Sequence, residues 1–379
     1  MAPAVASADV LVIGGGLLGL SLAYGLARQG AMPLVLDEGD NAHRATRGNF
    51  GLVWVQNKGA ALTPYAAWSR DAAALWPALA ADLLAETGGD VALQQPGGFC
   101  FCFTDEELEA RRASMQSIAD QVEGPYPFTM LDHAELRQRL PAIGPEVAGA
   151  SFMPLDGHVN PLKLYRALDE AGRLRGVTTR REVQVLAVAR TTSGFDVSTS
   201  AGVFRTERVV LAAGLGNRRL AEQLGLFAPV VPTRGQVIVT ERVQPFLAYP
   251  TNKLRQTDEG SVQVGDSVED VGLDDTTTHD VLQFMAGRAV RTFPLLRDVN
   301  IVRAWGALRV MTPDGFPIYE ESTTCPGAFV VTCHSGVTLA AAHAMKVAPW
   351  IAGGAAPAGI EVFASERLRS DTHAPMYVN

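Results

Sequence analysis

A strand, a glycine turn and an apolar helix follow one another near the start of this chain, in Asp9-Val-Leu-Val-Ile-Gly-Gly-Gly-Leu-Leu-Gly-Leu-Ser-Leu-Ala-Tyr-Gly-Leu-Ala-Arg28. The turn carries GxGxxG at Gly14, Gly16 and Gly19, with Leu17 and Leu18 between the last two. In that spacing the first glycine permits a tight turn, the second lets backbone approach a pyrophosphate, and the third lets the helix lie close on the strand. The helix N-terminus, with its unpaired N–H groups, then faces the anion. Met32 to Leu36 reads as a second buried strand ending in Asp37-Glu38, about twenty residues past the glycines, where an acid grips a ribose hydroxyl. Asp37 is the first choice for that role and Glu38 the reserve. An ordinary glycine-rich turn followed by a surface acid would not need all these parts in order.

Val10 to Ala27 is almost entirely apolar or glycine, and about twenty such residues can span a bilayer. Gly14, Gly15 and Gly16 would weaken a helix at its middle and no basic cluster flanks the run, so no membrane span is expected. The 379 residues are 47% hydrophobic and 19% charged, which excludes disorder and a coiled coil and leaves room for two lobes. A net charge of −8 argues against a nucleic-acid partner. Cys100, Cys102, Cys325 and Cys333 form no CxxC pair and no metal-ligand spacing, and no secretory segment precedes them. They read as buried or incidental thiols in a reducing cytoplasm.

GxGxxG with a ribose acid suits a nicotinamide cofactor or FAD, so the rest of the chain must choose. Ala45-Thr-Arg-Gly-Asn-Phe-Gly-Leu-Val53 is a polar, glycine-containing loop in which Thr46, Arg47 and Asn49 are placed to hydrogen-bond phosphate or an isoalloxazine ring, with Gly51 at its end. Val203 to Gly214 reads as a hairpin arm ending in VVLAAG, a buried strand that runs into a turn at Ala213-Gly214. Only one GxGxxG occurs, which disfavours a second nucleotide domain for NADPH. Asp105 to Gln121 reads as a charged helix, Asp132 to Leu140 as another that Pro141 ends, and Asn160-Pro161 as a helix start.

Five motifs in order, GGGLLG, TRGNFG, VVLAAG, Pro232-Thr-Arg-Gly-Gln236 and Trp305-Gly-Ala-Leu-Arg-Val-Met-Thr-Pro-Asp-Gly315, resemble the FAD-dependent family of D-amino-acid, glycine and sarcosine oxidases, from about Asp9 to about Trp350. Within it, Arg255-Gln-Thr-Asp-Glu-Gly260 and Cys333-His-Ser-Gly-Val-Thr-Leu339 are most similar to the flavoprotein subunits of opine oxidases and hydrogen cyanide synthase. The resemblance implies an α/β fold: an FAD-binding Rossmann-like domain in discontinuous pieces (1–84, 151–227, 301–379), interleaved with an α+β antiparallel-sheet substrate domain (85–150, 228–300). It implies that Val183 meets the adenine through backbone, although an ordinary sheet strand explains that residue equally well. It brings Gly336, Val337 and Thr338 to the flavin ring, with His334 as proton acceptor or pocket wall. Arg309 falls where the family sets an arginine against the substrate carboxylate.

The glycine oxidase pattern has an aromatic lid near Asn252-Lys-Leu-Arg-Gln256. Here Lys253 and Arg255 would suit a second carboxylate, unless Arg255 only pairs with Asp258 or Glu259 at the surface. Around Ala307 no cysteine stands where sarcosine oxidases attach their flavin, so FAD is expected to be non-covalent. The implied activity is oxidation of the C–N bond of an amino or imino acid, a secondary-amine or D-amino acid that includes opine-like dicarboxylates, to an imine that hydrolyses to an oxo acid. Two alternatives stand beside it: the catalytic FAD subunit of a multi-subunit dehydrogenase passing electrons to a partner rather than O2, and a non-catalytic flavoprotein subunit. The expected setting is cytoplasmic, or peripheral at the inner membrane if electrons go to a respiratory partner, and an oligomer is compatible with it.

Overall fold

The computed structural model describes residues 6–39, 45–265 and 267–369, so the outer ends of the first and last expected nucleotide-lobe segments lie outside the described residues. Strand β1 (Ala6–Ile13) turns through the glycines into α1 (Leu17–Arg28), which returns the chain to β2 (Pro33–Leu36). β1 pairs in parallel with β2 on one side and with Gly202–Leu211 on the other. Ala328–Thr332 and Thr178–Arg180 extend the parallel sheet outward, and Ile318–Glu321 closes one edge antiparallel. The hairpin formed by Val185–Thr191 and Gly194–Thr199 folds back on Gly202–Leu211.

A parallel strand covered on both faces must be apolar on both, and the residues of β1 divide accordingly. Val10 and Val12 pack with Leu22 and Leu26 of α1, while Leu11 and Ile13 pack on the opposite face with Val209 and Leu211. The expected strand, glycine turn, helix and strand are therefore all present.

A second unit is antiparallel. Val231–Arg242 pairs along its length with Ile301–Met311 and, on its other side, with Ser261–Val264, which pairs in turn with Leu254–Gln256. Gly98–Cys102, Gly149–Met153 and Thr129–Asp132 form a further three-stranded sheet. Phe99, Phe101, Leu254, Met285 and Phe293 meet in the core these elements share. The charged helix spans Asp105–Gln121 as expected, and the next spans His133–Arg139 with Asp132 and Glu135 forming a capping box. Asn160 caps Pro161–Leu174, its side chain accepting from Leu162 and Lys163 N–H.

Residues 301–311 and 149–153 hydrogen-bond into the antiparallel sheets, because each finds its strand partner far away in sequence. We propose a division that assigns both to the substrate lobe. Two helices also stand apart from the sequence reading. Thr63–Thr87 carries Pro64 at its start and Pro77 inside, and His279–Thr292 lies in a stretch read as strands. Val183 precedes its strand by two residues, after Glu182 at φ 61°. Among the described residues no helix is long and apolar enough to cross a membrane.

Where α1 crosses the helical segment 340–351, only a glycine fits: a Cβ at Gly25 would lie 2.2 Å from Ala344 O and 2.6 Å from Ala348 Cβ. Gly25→Ala is expected to cost about 1–3 kcal/mol by overpacking, read as a lower midpoint in urea or thermal unfolding. Gly287→Ala, whose Cβ meets nothing within 4 Å inside a helix, is the control and is expected to raise stability by up to about 1 kcal/mol.

Candidate functional site

Two adjoining cavities open at the carboxyl ends of the parallel strands, where open α/β sheets bind ligands. The first, a cleft of about 170 Å³, is lined by Gly14, Gly16, Leu17, Leu18, Asp37, Glu38, Thr46, Asn49, Val183, Ala213, Gly214 and Gly336. Gly14 has φ 109°, and a Cβ there would lie 2.3 Å from Ala212 O; at Gly19, outside the cleft, it would lie 1.9 Å from Gly14 O. Asp37 braces the turn, its Oδ2 accepting from Gly15 N–H at 2.7 Å and its Oδ1 from Gly39 N–H at 3.0 Å. Val183 N–H donates to Asp37 O at 2.9 Å, which sets it beside the acid.

The 45–51 loop is tied to the start of α1. Thr46 Oγ1 accepts from Leu17 N–H at 3.0 Å, and Asn49 Oδ1 accepts from Gly51 N–H at 2.7 Å. Gly51 lines neither cavity; a Cβ there would strike Val159 O at 2.5 Å, so its place in the loop is structural. Arg47 is exposed and also lines neither cavity, whereas Glu38, likewise exposed, stands at the cleft. Gly216 and Arg219 line the cleft without having been singled out in the sequence.

The second cavity, about 290 Å³, shares Ala45, Asn49 and His334 with the cleft. A Cβ at Gly336 would meet nothing within 4 Å, so backbone there fronts open space. Glycine cradle, ribose acid and open junction together fit an extended dinucleotide whose ring reaches the second cavity. Val337 and Thr338 line that second cavity; Thr338 Oγ1 accepts from Trp54 N–H at 3.1 Å and donates to Leu52 O at 3.2 Å.

Arg309 lines the second cavity, with Nη1 donating to Ser267 O at 2.8 Å and Arg234 O at 3.3 Å. Its guanidinium lies flat over Gly235 of the neighbouring strand, where a Cβ would come within 2.5 Å of Cζ. A glycine inside a strand marks such close approaches, and this was the readable sign of Gly235. Lys58 had none, since Asn57-Lys58-Gly59 looks like any surface turn. Its Nζ donates to Ser335 Oγ and lies 5.4 Å from the centre of the Tyr65 ring. Tyr65 Oη donates to Ser335 Oγ at 2.9 Å, and Ser335 Oγ lies 3.0 Å from His334 Nε2. Burial pushes the Lys58 ammonium down to about 8. Burial, then Lys58 and Arg309, hold the His334 imidazole well below its usual range, so the ring is neutral. Asp314, the acid among the described lining residues, is paired with Arg367 at 2.7 Å. Arg309, Lys58 and Lys253 also line this cavity.

Arg255 departs from both expectations. It is 2% exposed, donates from Nε to Phe50 O, and lies 3.2 Å through Nη1 from His158 Nδ1. It lines neither cavity, and Asp258 pairs with Lys163 at 2.5 Å instead. Arg255 anchors the loop backbone rather than meeting ligand or surface acid.

The family model of FAD dependent oxidoreductases (DAO) matches residues 9–350. The chain belongs to the DAO family of FAD-dependent oxidoreductases. It is 46% identical over 363 residues to an opine oxidase subunit of Agrobacterium tumefaciens (strain Ach5), covering 96% of this chain and 98% of that protein. Identity to the corresponding opine oxidase subunit of Rhizobium meliloti is 44% over 361 residues, covering 95% and 97%. Among solved structures, glycine oxidase from Geobacillus kaustophilus superposes with a TM-score of 0.87 at 23% identity, covering 94% of this chain and 98% of that one. This DAO-family chain is thus an FAD-binding enzyme with the α/β fold expected. Asp37→Ala is expected to weaken FAD retention about 10- to 100-fold, the loss of one charged hydrogen-bond acceptor, read as the flavin-to-protein absorbance ratio after gel filtration.

Proposed function

We propose that this enzyme oxidises the C–N bond of an amino or imino acid, a secondary-amine or D-amino acid, to an imine that water hydrolyses to an oxo acid. Arg309 carries the reading: a cavity-lining guanidinium held flat by two carbonyls over Gly235. A guanidinium fork matches a carboxylate in a bidentate way and fixes its orientation. The substrate's Cα–H would then face the junction at Gly336. A non-catalytic flavoprotein subunit would have no use for such a clamp.

Gly14, Gly16, Asp37, Thr46 and Asn49 would hold FAD, and Ala307 in place of a cysteine supports non-covalent binding. When bound, FAD supplies the two-electron acceptor for the hydride. Lys58 would take the proton of the substrate ammonium, because the nitrogen lone pair must be free before the C–H bond gives up its hydride. His334, neutral and weakly basic, would serve as a wall that orients Ser335. The two opine oxidase relatives carry the name of a subunit, which supports a second reading: electrons leave to a partner rather than to O2. The setting would be cytoplasmic, or peripheral at a membrane if that partner is respiratory.

The test is anaerobic bleaching of the FAD-loaded enzyme by an opine, iminodiacetate, sarcosine, D-proline, D-alanine and glycine, followed by air. Arg309→Ala is expected to lose roughly a hundredfold or more in kcat/KM while retaining FAD; bleaching at the parent rate would refute the clamp. Slow recolouring in air would mark a dehydrogenase subunit, and fast recolouring an oxidase.

The neutral amine of Lys58 is the active form, so kcat/KM is expected to rise with pH through about 8. Lys58→Met should remove that limb and lower the rate about a hundredfold or more. An unchanged pH profile would exclude Lys58 as the base.

A further inference from the structure

Within Pro232-Thr-Arg-Gly-Gln236, Gly235 lines the reaction cavity, as does Val237 next along the strand, whereas Arg234 and Gln236 do not. Alternation along Val231–Arg242 sends these two side chains to the opposite face of the sheet, where both are buried, Arg234 at 2% and Gln236 at 0% exposure. The chemistry described above uses neither of them. Both are turned to residues 267–278, which lie between the strand Ser261–Val264 and the helix His279–Thr292.

Gln236 holds both ends of that stretch. Its N–H donates to Ser267 Oγ at 2.8 Å, its Nε2 donates to Thr278 Oγ1 at 3.0 Å, and its Oε1 accepts from Thr278 N–H at 3.0 Å. Glu269 ties the middle. Its backbone exchanges two hydrogen bonds with that of Arg234, at 2.9 and 3.0 Å. Its carboxylate accepts from Arg234 Nη2 at 2.6 Å, from Gln236 Nε2 at 2.9 Å and from Ser267 Oγ at 2.9 Å. Arg234 Nη1 donates to Asp274 Oδ2 at 2.6 Å. The carbonyls that accept from Arg309 Nη1 are those of Ser267 and Arg234, so both belong to residues that Glu269 knots together.

An arginine side chain has many rotamers, and holding it in its binding pose beforehand removes the cost of ordering it from the binding step. Gly235 gives the Arg309 guanidinium its floor, and the knot behind the sheet holds the carbonyls at its edge. We propose that Glu269, Arg234 and Gln236 are positioning residues for Arg309: from the face away from the cavity they fix the Ser267 and Arg234 carbonyls, and these carbonyls aim the guanidinium. The inference rests on the reading of Arg309 as the substrate-carboxylate clamp.

The test is a double-mutant cycle on the FAD-loaded enzyme. Its readouts are the dissociation constant of acetate, followed by the flavin absorbance change, and kcat/KM for whichever amino acid bleaches the flavin fastest. Glu269→Ala is expected to weaken acetate binding about tenfold with FAD retained. Glu269→Gln keeps the side chain's length and an acceptor oxygen, and is expected to recover about half of that loss on a logarithmic scale. In Arg309→Met, adding Glu269→Ala should change either readout by less than about twofold, because a residue that acts through Arg309 has nothing left to act on. Equal losses with and without Arg309 would show that Glu269 supports the lobe in general and would overturn the inference. Parent-like acetate binding in Glu269→Ala would overturn it too, as would tighter binding in Glu269→Gln, the mark of a competing charge. If Glu269→Ala loses FAD, the cycle is run with Glu269→Gln and with Asp274→Asn, whose side chain is 45% exposed, and the same non-additivity with Arg309→Met decides. The failure of the clamp itself has a different signature: Arg309→Met alone binds acetate as the parent does, and the positioning role then falls with it.

Discussion

Everything that positions this site descends from one close approach, the packing of α1 onto the end of β1. With a Cβ at Gly19 only 1.9 Å from Gly14 O, no other residue lets the helix start where it does. That contact aims the N-terminus of α1 along the cleft and leaves its first N–H groups to be satisfied from outside the helix. Thr46 satisfies one of them, and Asp37 fixes the turn from the other side. The 45–51 loop is thereby hung on the helix start, and the loop in turn forms the wall at which the cofactor cleft meets the reaction cavity.

A second constraint is electrostatic. The reaction cavity and a space of about 510 Å³ beside it gather Lys58, Arg309, Lys253, Arg111 and Arg288 from separate elements, and Asp314 in the reaction cavity is turned to Arg367. Gathering cations beside one another is unfavourable unless their surroundings hold them, and neutral oxygens take part in holding at least two of these. Arg309 donates to the carbonyls of Ser267 and Arg234, and Arg111 to the Ser151 hydroxyl and the Gln56 amide oxygen.

How much of this could be read from the chain follows the range of the interactions. The nucleotide cleft is local: strand, glycines, helix and acid occupy Asp9 to Glu38, and each part dictates its neighbour's geometry. Arg309 was legible only through resemblance, because its role depends on Gly235, more than seventy positions earlier. Lys58 was not legible at all. What makes it a functional amine is Ser335 and Tyr65 around it and burial behind it, and none of these leaves a mark on Asn57-Lys58-Gly59. Arg255 shows the converse error: two positions from Lys253 in sequence it looked like a second ligand cation, but Lys253 lies just outside the strand Leu254–Gln256 and lines the cavity, whereas Arg255 lies within that strand, buried against Phe50. The division proposed for residues 301–311 was likewise hidden, since the partner of that strand lies in a distant segment.

Asp156 links these levels. Fully buried and pushed up to about 7 by that burial, it accepts from Val55 and Gln56 N–H and from the Gln56 side chain. Through Val55 it holds the backbone just before Lys58; through Gln56 it holds Arg111. One buried carboxylate thus orders both the backbone that leads to Lys58 and the Gln56 amide that meets Arg111. The coupling runs through the Gln56 amide, which donates to Asp156 and accepts from Arg111, so the two side chains meet a neutral group rather than each other.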